Sequence, residues 1–213
     1  MKKIKLICFD VDGTLVDANS WLVLTEGLGC SPQEHVDIYS RCKRGEMTFD
    51  EGARILTKKY QDSGKANESF IDDLFDKIEI KEEVEDLISY LKKKGYIIYL
   101  ISSAIDKHVE TVAKKLGVDG FYANSSLEFD NNGVLQRIKY YPDEGERKLR
   151  QLRELIKKLG ISMDQVVFVG DSENDIEAFK ATKRGIAVKA ENEELKKAAW
   201  RTVDSLSKIK DII

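Results

Sequence analysis

Leu6-Ile7-Cys8-Phe9-Asp10-Val11-Asp12-Gly13-Thr14-Leu15 is the stretch whose reading decides the fold. Leu6 to Phe9 is an unbroken apolar run, the pattern of a strand buried on both faces of a parallel sheet. It gives way to two aspartates one residue apart and then a glycine. Both carboxylates therefore lie beyond the strand's carboxyl end, where open α/β sheets bind ligands. In extended backbone Asp10 and Asp12 project the same way, and their repulsion raises one pKa unless a cation sits between them. A hard divalent ion such as Mg2+ suits such a pair. A strand followed by an ordinary acidic turn is the other reading, and the rest of the chain has to decide between them.

The 213 residues suffice for one large domain, or for a core with a small inserted module. With 42% hydrophobic and 34% charged residues the chain is expected to be globular and soluble rather than disordered. A net charge of −3, from 35 basic and 38 acidic residues, gives no electrostatic case for nucleic acid and leaves a small polar ligand as the expected partner. The basic Met1-Lys2-Lys3 start is followed by an apolar run too short for a secretion signal, and no stretch approaches a membrane span. Cys8, Cys30 and Cys42 are odd in number and lack Cys-x-x-Cys spacing, so free thiols in a reducing cytoplasm are expected. No catalytic task falls to them.

From Val16 to Lys77 there is no strand-like alternation. Ser31-Pro32-Gln33-Glu34 and Thr48-Phe49-Asp50-Glu51 carry N-terminal capping signals that start helices near 32 and 49. Glu68 to Lys77 adds another, so residues 16–79 read as a helical module of three to four helices inserted after the first strand. The core is then 1–15 and 80–213. Val84, Leu87, Ile88 and Leu91 mark one face of a helix, Tyr96 to Ile101 a strand, and Ile105 to Leu116 a helix closed by Gly117. Phe121 to Ala123 is a short strand candidate. Leu127–Phe129 and Val134–Tyr140 flank Asp130-Asn131-Asn132-Gly133 as a hairpin beside the main sheet. Leu149 to Leu159 is amphipathic, Val166–Val169 and Gly185–Val188 are buried strands, and Glu191–Trp200 and Ser205–Ile213 are terminal helices. Such alternation predicts an α/β fold, a Rossmann-like parallel sheet with helices on both faces, carrying the inserted helical cap and the hairpin.

Polar residues gather at three strand ends: Asp10 and Asp12, Ser102 and Ser103, and Asp171 with Asp175. Lys148 opens the helix between the last two. In this order they resemble the haloacid dehalogenase superfamily, with D-V-D-G-T as its first motif, L-I-S-S as its second, Lys148 as its third and G-D-S-E-N-D as its fourth. The helical insert between the first and second motifs, and the hairpin between the second and third, resemble the phosphoserine-phosphatase-like branch. Taken singly, Ser102 and Ser103 would only cap a helix, Lys148 would be solvated, and Asp171 and Asp175 would be turn residues. Jointly and in order these readings lose force.

The resemblance implies a Mg2+-dependent phosphatase acting on a small phosphate monoester. Asp10 would be the nucleophile, Asp12 the general acid and base, and Lys148 a fixed positive charge. Ser102, Ser103 and Gly13 would hold phosphate oxygens, with the Ser103 amide at a helix start. Mg2+ would be held by Asp10, the main-chain carbonyl of Asp12 and Asp171, with Asp175, assisted by Asn174, supporting either the metal or Lys148. The cap would choose the substrate through Asn19, Ser20, Trp21 and Arg54. Relatives that hydrolyse phosphoserine place a Glu nine residues after the nucleophile and an Arg seven after a cap Phe; Asn19 and Leu56 stand there instead, so phosphoserine itself is not expected. His35 and His108 lack partners at any informative spacing and are read as surface or cap residues. A phosphomutase keeps all of these residues. A phospho-Asp signalling receiver has its aspartate on a middle strand and no insert, and a dehalogenase has no need of Asp12. A monomer or a homodimer fits equally.

Overall fold

In the computed structural model, which describes residues 3–213, the apolar run forms the central strand β1 (Leu6–Phe9), with all four side chains fully buried. The Met1-Lys2 part of the basic start lies outside the described residues. Four helices follow: α1 (Ser20–Gly27), α2 (Pro32–Lys43), α3 (Phe49–Asp62) and α4 (Glu68–Asp76). Their starts obey the capping chemistry: Ser31 accepts from the Glu34 amide, and Thr48 and Glu51 bond each other's backbone N–H reciprocally. The chain then alternates through α5 (Glu82–Lys93), β2 (Ile97–Ile105), α6 (Asp106–Leu116), β3 (Gly120–Phe129), β4 (Leu135–Lys139), α7 (Glu144–Leu159), β5 (Val166–Gly170), α8 (Ile176–Thr182), β6 (Gly185–Val188), α9 (Glu193–Ala198) and β7 (Arg201–Val203).

The seven strands lie in the order β4-β3-β2-β1-β5-β6-β7, parallel except for β3 against β4. β1 is flanked by β2 on one side and β5 on the other, so the chain reverses its direction of travel across the sheet there. That reversal opens a crevice at the carboxyl ends of these three strands. Apolar side chains on the two faces form separate clusters. Ile7 and Phe9 pack with α5 and α6, whereas Leu6 and Cys8 pack with α7 and α8. Burial of this kind contributes about 1.5–3 kcal/mol per large side chain.

Several expectations need correction. β2 continues past Ile101 to Ile105, because Ala104 and Ile105 are buried strand residues; Ser102 and Ser103 therefore lie within a strand, and α6 begins only at Asp106. β3 is one strand where two segments were expected. Its polar middle pairs with β2, Asn124 donating to Ser103 Oγ at 3.3 Å. The hairpin is part of the main sheet instead of lying beside it. α7 starts at Glu144, which puts Lys148 in its second turn. Near the C-terminus the helix expected at 191–200 shrinks to α9, β7 was not foreseen, and 205–213 holds a short 3-10 helix (Leu206–Asp211).

The hairpin also fastens the four helices. Leu127, Leu135 and Ile138 share an apolar cluster with Leu24, Tyr60 and Phe75. The Leu135 amide donates to Ala66 O at 2.9 Å, and the Glu68 amide to Gly133 O at 2.8 Å.

Candidate active site

At the carboxyl end of β1, Asp10 is almost fully buried, and its two oxygens have different partners. Oδ1 accepts from the Val11 amide at 2.8 Å, and Oδ2 lies 2.9 Å from Lys148 Nζ. Lys148 is wholly buried, so its three N–H groups need three acceptors. It has them: Asp10 Oδ2, Asp175 Oδ1 at 2.7 Å and Asn174 Oδ1 at 2.5 Å. Burial alone would lower the lysine's pKa, but the charges of Asp10 and Asp175 outweigh it and hold the ammonium well above its ordinary range.

Asp175 is also wholly buried. Its second oxygen accepts from the amides of Asp171 and Ser172 at 3.1 and 3.2 Å, which fixes the turn after β5. Gly170 is needed at that turn, because a Cβ there would collide with the Asp175 carboxylate. Asp171 accepts from Thr14 Oγ1 at 2.5 Å, and its pKa is pushed up to about 6, first by burial and then by the charge of Asp10. Gly13, with φ +79°, faces it so closely that any Cβ would strike the Asp171 carboxylate. Lys81, the residue before α5, donates to the carbonyls of Gly13 and Thr14 at 2.6 and 2.9 Å and so clamps the turn.

The Asp12 carboxylate is not part of the acidic cluster around Asp10. Its Oδ2 accepts from both the amide and the hydroxyl of Ser20, each at 2.7 Å, and its Oδ1 lies 3.1 Å from His108 Nε2. The histidine approach is close but poorly aligned for a hydrogen bond, and His108 Nδ1 meets no partner. The acidic cluster is Asp10, Asp171 and Asp175, each offering an oxygen within 4.8 Å of the others. All-carboxylate donors at that spacing suit a hard divalent cation such as Mg2+. Asp175 already takes three donors, whereas each Asp10 oxygen takes one and Asp171 accepts through Oδ1 alone; Asp10 and Asp171 are therefore the carboxylates best able to ligate it, and Asp175 orients Lys148 and the turn.

These strand ends open into a cavity of about 530 Å3 lined also by Ser102, Ser103 and Asn174. Pairing of β2 with β3 is interrupted between Ser102 and Ile105, so the two serines sit at an irregularity in the strand. The Ser103 amide is thus not at a helix start, as expected, but three residues ahead of α6. Asn19 and Trp21 line the cavity, although Asn19 Oδ1 is engaged in capping α1. Ser20 is buried against Asp12 and does not reach the cavity. Arg54 is exposed on the outer side of α3, its Nε donating to Asp50 O at 3.4 Å, and it also does not line the cavity.

Neither histidine lies at the surface, although His35 does belong to the helical insert. His108 is fully buried beside Asp12. His35 is buried among Thr25 and Tyr60, with Nδ1 2.9 Å from the former's hydroxyl and 3.1 Å from the latter's, and burial lowers its pKa. The signal available for His108 was its place on the apolar face of α6, beside Val109 and Val112. Tyr140 and Glu144 are further cavity residues the sequence did not single out. The tyrosine hydroxyl donates to one Glu144 oxygen, and Asn174 Nδ2 donates to the other at 3.1 Å.

Comparison with known proteins identifies the family. The family model for haloacid dehalogenase-like hydrolases matches residues 4–182. A phosphoserine phosphatase of Methanocaldococcus jannaschii is 30% identical over 88% of this chain and 85% of its own length. One from Archaeoglobus fulgidus is 30% identical over 87% of this chain but 53% of its own, so the chain spans about half that relative. A substrate-bound phosphoserine phosphatase complex superimposes with a TM-score of 0.76 at 26% identity, covering 100% of both chains. The chain belongs to the haloacid dehalogenase-like hydrolases, in their phosphoserine-phosphatase-like branch.

Proposed function

We propose that the protein is a Mg2+-dependent phosphatase that hydrolyses a small phosphate monoester other than phosphoserine through an aspartyl-phosphate on Asp10. One observation carries this reading: a buried carboxylate, paired with a lysine that has no other free valence, faces a cavity beside a second carboxylate and two serines. Hydrolysis of a phosphate monoester in water is extremely slow, so the site must position a nucleophile in line and neutralise the phosphoryl oxygens.

Asp10 forms the new P–O bond as the substrate's ester bond breaks. Asp12 gives its proton to the departing alkoxide, then takes one from the water that cleaves the aspartyl-phosphate and frees inorganic phosphate. Ser20 holds Asp12 in place for both transfers, with His108 lying 3.1 Å from its other oxygen. Ser102 and Ser103 bind phosphoryl oxygens, and Lys148 offsets the charge of Asp10 and of the group it receives. Asp10 and Asp171, with the main-chain carbonyl of Asp12, would hold Mg2+, which when bound supplies further neutralisation of the phosphoryl charge. Residues 16–79 act as a cap over this floor. Three free cysteines support work in a reducing compartment such as the cytoplasm.

The test is phosphate release from p-nitrophenyl phosphate by wild type and Asp10→Asn, with Mg2+ and with EDTA. Release that needs the metal and disappears in the variant is expected. Metal-independent release, or an active variant, would overturn the assignment.

A further inference from the structure

The cavity has two chemically unlike walls. One is the strand-end floor already described. The other comes from the helices and β4, and its character is set by Trp21, Tyr39, Phe49, Leu56, Ile138 and Tyr140. Among the described residues that line the cavity there is no lysine or arginine; Lys148 lies sealed beneath Asp10. The one basic side chain, His35, is turned to Thr25 and Tyr60. Besides Asp10, Asp12 and Asp171, the remaining charges are also acidic: Asp17, Glu144 and Glu173. A carboxylate on the leaving group would thus lose its hydration, gain no counter-charge and meet negative neighbours.

A cationic leaving group is no better served. Glu144, the acidic group beside the aromatic wall, already accepts from Tyr140 and Asn174. Nor do the rings form an open box for an ammonium group. Phe49 and Tyr140 stack on each other with centroids 5.1 Å apart, and Trp21 and Tyr39 pack edge-to-face with Tyr140 at 6.0 and 6.2 Å. Stacking takes up the facing sides of Phe49 and Tyr140, and the edge contacts hold Trp21 and Tyr39 against Tyr140.

Resting on the phosphatase reading above, we infer that the leaving group is an uncharged, largely apolar alcohol, so that the substrates are alkyl or aryl phosphate monoesters. Specificity then grows with apolar surface. Each methylene that enters the cavity contributes about 0.8 kcal/mol, or about fourfold in kcat/KM.

The experiment measures kcat/KM for ethyl, propyl, butyl and pentyl phosphate, and for two matched pairs. The pairs are propyl phosphate against O-phosphoserine, and 3,3-dimethylbutyl phosphate against phosphocholine. A rise of about fourfold per methylene is expected, with the uncharged member of each pair favoured at least 50-fold over phosphoserine and at least fivefold over phosphocholine. Leu56→Arg, which puts a cation into the apolar wall, should narrow the propyl phosphate to phosphoserine ratio at least tenfold; if that variant misfolds, the wild-type ratios decide alone. A flat alkyl series, or a preference for either charged member, overturns the inference while leaving the phosphatase intact. No phosphate release from any compound, p-nitrophenyl phosphate included, overturns the phosphatase reading and this inference with it.

Discussion

The floor and the roof of the cavity are built on opposite principles. On the floor the network around Lys148 is committed, although His108 Nδ1, beside Asp12, has no partner: Lys148 has three acceptors, Asp175 three donors, and Asp171 a threonine hydroxyl. The roof is apolar and aromatic, and its few polar groups are already engaged, His35 with Thr25 and Tyr60 and Tyr140 with Glu144 at the start of α7. A saturated network fixes geometry, because moving one member strands a buried charge. An apolar wall fixes little beyond volume and tolerates exchange. The contrast teaches that the chemistry should be brittle to substitution and the choice of substrate pliable.

The largest expected effect is at Asp10, the proposed nucleophile. Asp10→Asn should cut phosphate release by at least about 10^4-fold while circular dichroism and oligomeric state stay unchanged. A residual rate above one per cent would break the contrast at its centre. Next is Lys148→Met, which leaves Asp10 and Asp175 as unpaired buried charges. It should lower kcat about 10^3-fold and cost about 3–5 kcal/mol in urea unfolding, and an unchanged unfolding midpoint would mean that the network carries no stability.

The third concerns pH. Asp171 has its folded, metal-free pKa raised to about 6 from an ordinary carboxylate value, so the folded protein holds that proton more tightly than the unfolded chain does. The stabilisation this gives is present at low pH and is lost as the pH rises through about 6. Mg2+ has to displace the proton, so its affinity should fall about tenfold per pH unit below about 6 and level off above it, as read by calorimetry or thermal shift. An affinity flat from pH 5 to 8 would remove Asp171 from the ligand set.

A smaller loss separates positioning from direct chemistry. His108→Ala should lower kcat about 10- to 100-fold with KM within about twofold, since the histidine touches Asp12 and not the cavity. His108→Gln, whose amide can reach the same carboxylate, should recover part of it; a purely packing role would move stability without this kcat-selective loss and rescue. Arg54→Ala should change neither kcat nor KM by more than about twofold for any monoester, because the side chain lies outside the cavity. A large KM change there would mean that the roof rearranges to bring Arg54 inward.

How much of this could be read in the chain depended on whether a signal was local. Leu6 to Phe9 followed by Asp10 announces a buried strand ending in chemistry, and Ser31 and Thr48 announce helix starts, because each acts within a few residues. Ser102 and Ser103 were misplaced because two polar residues look like a strand's end, when β2 in fact carries them past an irregularity to Ala104 and Ile105. His108 was unreadable for a different reason: its partner, Asp12, is distant in sequence and is met only once α6 has packed on the sheet. Arg54 sat on a correctly expected helix, but which side of α3 faces the cavity is settled by the packing of Ala53, Leu56 and Tyr60, and these turn it outward.

The four helices leave and rejoin the sheet at one point, since the Lys81 amide donates to Leu15 O at 3.0 Å. A segment whose two ends meet is the kind that recombination can swap without tearing the host fold. Here, however, residues 120–139 share the helices' apolar cluster and bond their backbone. The unit that could be transplanted is therefore two separate stretches of chain, and a graft of the helices alone would leave Leu135 and Ile138 facing water. New specificities in such a scaffold should arise by joint drift of the insert and the hairpin, with the catalytic floor inherited unchanged.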